Sequence, residues 1–215
     1  MTQKIAVLIS GNGSNLQALI DYQRQHPSAY EIALVISNKA DAYGLQRAQN
    51  ADIRTVALDH KQYPSRQEFD HALSLELDRA RVDLIVLAGF MRILTPWFTE
   101  KYLGKMLNIH PSLLPKYTGL HTHQRALDAG DTEHGLSIHF VTPELDGGPV
   151  ILQAKVLIEA SDDAASLAKK VHTQEHIAYP LVVDWYCKHR IELRDNLAYF
   201  DQQLLKTPLL LNAVI

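Results

Sequence analysis

Cysteine is almost absent from this chain. One residue among 215, Cys187, has no intrachain partner, which excludes a disulfide framework and a structural zinc site built on cysteine pairs. It lies in an apolar stretch and reads as inert packing. There is no basic surplus: 21 Lys and Arg against 24 Asp and Glu leave a formal net charge of −3, so no nucleic-acid partner is expected. No apolar run has the length of a membrane span, and no cleavable leader is read ahead of the first strand pattern. A cytoplasmic protein without a membrane partner is the expectation. Repeats, low-complexity tracts and linker-like segments are also missing, which points to a single domain over residues 1–215.

What remains is ordinary for a globular protein, with 47% hydrophobic and 21% charged residues. A chain of this length buries about 70% of its unfolded surface and needs no staple. Near-continuous apolar runs at residues 4–10, 31–37, 54–58, 83–89 and 105–110 read as strands covered on both faces. Helical patterns separate them: one opening at Ser14 or Asn15 as cap, then residues 42–51, 65–81 and 96–102. The alternation predicts an α/β, Rossmann-like fold, a mostly parallel twisted sheet with helices on both faces. Residues 111–131 read as a loop with one helical turn near 124–129, and 112–131 within it as a mobile lid. Residues 135–141 and 150–158 form an expected C-terminal antiparallel extension. A long helix follows at 163–188, kinked near Pro180, and the tail after Asn196 has no clear period.

Three motifs carry chemistry. Ser10-Gly11-Asn12-Gly13-Ser14-Asn15 joins a strand to a helix, where free N–H groups and the positive dipole end favour a phosphate. A dinucleotide fingerprint needs glycine where Leu16 stands, so a single phosphate fits better; a plain tight turn is the alternative. In Asn108-Ile109-His110-Pro111, strand alternation puts a carboxamide and an imidazole on one face at the carboxyl end of a central strand, where open α/β sheets bind ligands. A satisfied core pair is the alternative there. Residues 142–149 (TPELDGGP) have turn composition. If that turn reaches His110, Asp146 becomes its carboxylate partner. There are 11 histidines but no HExxH, so no metal is expected.

Five blocks, GNGSN, SNKADAYGL, LAGFMRIL, LNIHPSLLPKY and HFVTPELDGGPVILQ, in this order over residues 5–185, resemble the phosphoribosylglycinamide formyltransferase family. The resemblance implies transfer of a formyl group from 10-formyltetrahydrofolate, as co-substrate, to the amine of glycinamide ribonucleotide. It implies a catalytic trio of Asn108, His110 and Asp146, and a phosphate-binding half at about residues 1–105 ahead of a folate-binding and catalytic half at about 106–215. Ribonucleotide contacts fall on Gly13, Ser14, Asn15, His172 and Glu175. Folate contacts fall on Arg66, Met91, Arg92, Ile93, Leu94, Asn108, Thr142, Pro143, Glu144, Leu145 and Asp146. The family pattern carries glutamine where this chain has His172. A monomer or homodimer is implied. Rival readings are a formyltetrahydrofolate deformylase, a methionyl-tRNA formyltransferase and a non-catalytic binder; the phosphate loop argues against the first two, the intact trio against the third.

Overall fold

The computed structural model describes residues Thr2 to Val214. The first half alternates as its sequence does: β1 (Gln3–Ile9), α1 (Ser14–Gln25), β2 (Tyr30–Ser37), α2 (Tyr43–Gln49), β3 (Thr55–Ala57), α3 (Arg66–Ala80), β4 (Leu84–Leu87), α4 (Pro96–Lys101) and β5 (Met106–His110). The second half holds α5 (Thr122–Asp128), β6 (Glu133–Phe140), β7 (Val150–Leu157) and α6 (Ala164–Cys187). Four short strands follow, β8 (Ile191–Arg194), β9 (Leu197–Phe200), β10 (Gln203–Leu204) and β11 (Leu209–Leu210).

The main sheet has eight strands in the order β11-β7-β6-β5-β4-β1-β2-β3. β3, β2, β1, β4 and β5 are parallel; β6 and β7 continue the sheet antiparallel from β5, which is the expected extension. β11 then adds parallel to β7. Parallel strands buried on both faces need cover on both faces, and two apolar clusters provide it. One packs α1, α2 and α6 against one face through Leu16, Leu19, Leu45, Val171, Tyr179 and Val182. The other packs α3 and α4 through Phe69, Leu73, Leu77 and Phe98.

Four details depart from the sequence reading. Helix α1 has no side-chain cap from Ser14 or Asn15; Gly13 is its N-cap, left-handed at φ 74°, and Asn15 points elsewhere. The helical turn in the 111–131 loop starts earlier, as α5 from Thr122. Helix α6 runs as one element through Pro180. The tail after Asn196, which lacks a period, pairs its β9 and β10 with β8 in a second antiparallel sheet. Its strands are only two to four residues long, too short for an alternation to register. Cys187 is buried in the α6 core, and burial pushes its thiol up to about 12, so it is no nucleophile.

Candidate active site

Adjacent strands bring the site together at the carboxyl ends of β1, β4 and β5. Parallel strands all end on one edge, so Ser10, Ala88 and His110 meet there from positions far apart in sequence. Three sequence segments converge on that edge.

The first is the loop after β1. Gly13 adopts a positive φ and packs so closely on α2 that a Cβ there would lie 2.7 Å from Gly44 Cα. Because no side chain caps α1, its first N–H groups stay free for an anion. The Asn15 carboxamide instead donates to Glu175 Oε2 at 2.8 Å, tying the loop to α6 across 160 residues. Glu175 is buried, and Asn15 Oδ1, also buried, has no partner. Thus the structure gathers Gly13, Ser14, Asn15 and Glu175. His172, one turn before His176 on α6, is exposed, and the two imidazoles stack with centroids 6.3 Å apart.

The second segment follows β4. Met91 and Ile93 are more than half exposed, large apolar side chains left open to solvent. Ser10 Oγ accepts from Met91 N–H at 2.7 Å and donates to Asn38, so the segment is bonded directly to the end of β1. Arg92 stacks its guanidinium over Phe69 at 5.4 Å, and its buried Nε has no partner. A buried N–H without an acceptor carries a desolvation cost that a ligand oxygen would remove. Arg66 opens α3 and is exposed.

The third segment contains the turn between β6 and β7. Asp146 sits in the left-handed region at φ 52°, which an aspartate tolerates better than most residues. Gly148 is forced by closeness: a Cβ there would stand 1.8 Å from Phe140 O. This geometry carries Asp146 inward, with Oδ2 at 3.5 Å from His110 Nδ1; both side chains are over nine-tenths buried. Asp146 Oδ2 also accepts from Gly119 N–H at 2.8 Å, while His110 Nε2 faces Tyr117 O at 2.8 Å. The 111–131 loop therefore closes onto both members of the pair. Beside Asp146, Thr142 is buried, whereas Pro143, Glu144 and Leu145 are exposed.

His139 is the residue the sequence reading missed. It pairs with Asn108 across β5 and β6, and its Nε2 lies 3.1 Å from Asn108 Nδ2 and 4.0 Å from Asp146 Oδ1. Its Nδ1 lies 2.8 Å from Phe140 O, so Nδ1 carries the proton and Nε2 accepts from the Asn108 amide. Burial holds its pKa below the ordinary histidine range, which keeps it neutral. A single histidine thus stands between the carboxamide and the carboxylate. The visible signal was its place two residues after Ser137 on one face of β6, but nothing local showed that it faces Asn108. No group of three or more His, Cys, Asp or Glu side chains suited to a metal occurs among the described residues.

Comparison with known proteins gives the family. The Formyl transferase family profile matches residues 3–183. Phosphoribosylglycinamide formyltransferase of Escherichia coli is 54% identical over 94% of this chain and 95% of its own. The human trifunctional purine biosynthetic protein adenosine-3 is 46% identical over 90% of this chain, which spans only 19% of that protein. Among solved structures, phosphoribosylglycinamide formyltransferase of Coxiella burnetii superposes with a TM-score of 0.94 at 50% identity, covering 98% of this chain and 99% of the other. The chain belongs to the phosphoribosylglycinamide formyltransferase family of formyl transferases.

Proposed function

We propose that this protein transfers the formyl group of 10-formyltetrahydrofolate to the primary amine of glycinamide ribonucleotide. The observation that carries the reading is the buried constellation in which Asp146 faces His110 while His139 holds Asn108, set between an uncapped phosphate loop and an exposed apolar segment. The ribonucleotide phosphate sits on the free N–H groups after Gly13, with Glu175 and His172 along its sugar and glycinamide. The folate lies against Met91–Leu94, Arg66 and the turn 142–146.

The amine nitrogen attacks the formyl carbon, and the carbonyl electrons move onto oxygen. Asn108 holds one amide N–H against His139 and has a second for that oxygen; a preorganised donor of this kind is worth roughly 3–4 kcal/mol. His110 is the second donor. Its Nε2 is held by the Tyr117 carbonyl, so the oxygen reaches it once the 111–131 loop releases that contact. As the tetrahedral adduct collapses, the C–N bond to folate breaks. The attacking nitrogen gives up a proton and the folate nitrogen gains one, with Asp146, His110 and water between them as the relay. The formyl carbon is already activated by its aniline-type nitrogen, so the chemistry calls for no Lewis acid.

The reading is tested by following the formyl carbon. With isotopically labelled 10-formyltetrahydrofolate and glycinamide ribonucleotide, the label is expected on the ribonucleotide amine. Label released as formate at the same rate with or without the ribonucleotide would make water the acceptor and the reading wrong.

A further inference from the structure

Arg47 has no place in the chemistry described above, yet its guanidinium donates two hydrogen bonds into the phosphate loop. Its Nε donates to Asn12 O at 2.9 Å and its Nη2 to Asn12 Oδ1 at 3.0 Å, so two arms of one guanidinium bracket a single loop residue. Its Nη1 donates to Gln17 Oε1 at 3.2 Å, on the first turn of α1. The flat face of the guanidinium lies over the Tyr43 ring at 4.9 Å. Three of five N–H donors are thereby committed to neutral oxygens, on a half-buried side chain that is always charged. Together with Ser14 and His176 it lines one end of a cleft of about 580 Å³ that runs along α1 from Ser14 to Gln25.

The surrounding backbone explains why a side chain is needed here. The loop is held from below by Gly44 N–H donating to Gly11 O at 3.0 Å and by the close approach of Gly13 to Gly44. Asn12 itself is exposed, and the two bonds from Arg47 are its hydrogen bonds among the described residues. Without the bracket, the residues that orient the first N–H groups of α1 would sample several conformations, and an anion would have to select one of them.

We propose that Arg47 is a positioning residue for the phosphorylated substrate: its planar fork locks Asn12 and the first turn of α1 in the shape that accepts a phosphate. The proposal rests on the loop 11–15 being the phosphate site. It requires the fork as well as the charge, which separates it from a simple electrostatic role.

The experiment compares the full-length wild type with Arg47→Gln and Arg47→Lys, each checked for an unchanged thermal midpoint. Calorimetric titration with glycinamide ribonucleotide is run beside steady-state kinetics. Both variants are expected to bind the ribonucleotide and raise its KM by about tenfold or more, with kcat within about twofold and the folate KM unchanged. Lysine restoring wild-type affinity would overturn the proposal, because charge alone would then suffice. Wild-type affinity in Arg47→Gln, or a fall in kcat together with a rise in both KM values, would also overturn it. If the wild type binds the ribonucleotide without turning it over, the transfer reading fails and the binding comparison still decides Arg47. If the wild type does not bind it, both fall.

Discussion

The carboxamide of Asn15 and the carboxylate of Glu175 meet at 2.8 Å, joining the first turn of α1 to the middle of α6. Glu175 is 4% exposed, and Asn15 Nδ2 is the hydrogen-bond donor to it. Glu175→Ala is expected to raise the ribonucleotide KM by about tenfold and to cost about 1–3 kcal/mol of stability, the price of leaving a buried amide unmatched. Glu175→Gln, which keeps an acceptor oxygen, is expected to lose less of both. Steady-state kinetics with thermal unfolding checks this; unchanged ribonucleotide KM in the alanine variant would contradict it.

Asp146 faces His110 but also accepts from the Gly119 amide, so its removal affects both chemistry and loop closure. Asp146→Asn is expected to fold normally and to lose about 10²–10⁴ in kcat, the usual range for a proton-transfer group. Near-normal turnover would remove Asp146 from the mechanism.

Because His139 fixes the Asn108 amide through its unprotonated Nε2, His139→Leu is expected to lower kcat by about 10²-fold with little change in either KM. His139→Gln retains an acceptor and should recover part of the rate. Loss confined to KM would show that His139 serves binding and not the orientation of Asn108.

A second histidine pair joins the 111–131 loop to β6, with His134 Nε2 3.1 Å from His123 Nδ1. One shared proton satisfies that contact, and two would repel. Burial foremost, then repulsion from His134, pulls His123 from 6.5 down to about 4, and burial also lowers His134. Unfolded, both would take up protons near the ordinary value. Their contribution is therefore fully present above about pH 6.5 and is lost as pH falls toward 4. Thermal midpoints over that window are expected to fall less steeply in His123→Gln than in the wild type; equal slopes would contradict the assignment.

The parallel half was legible in the sequence because its strands are continuous apolar runs and its helices carry a 3.6-residue period. Asn108 and His110 stood out as polar residues on such a run, and Asp146 through its turn glycines. Contacts between distant segments were not legible. Nothing near His139 shows that β6 pairs antiparallel with β5 at Asn108, and nothing near Arg47 shows that α2 lies under the phosphate loop. The N-cap was misread for a related reason. Ser14 and Asn15 have the right chemistry for a cap, but Asn15 is claimed by Glu175, 160 residues away, and the close approach to Gly44 admits only glycine at position 13. The tail sheet escaped because its strands are shorter than a pattern needs.

The most direct measurement is deformylation of 10-formyltetrahydrofolate, followed spectrophotometrically, with and without glycinamide ribonucleotide, for the wild type and Asp146→Asn side by side. The account predicts turnover that requires the ribonucleotide and largely disappears in the variant. Turnover independent of the ribonucleotide, or its absence in the wild type under both conditions, would contradict it.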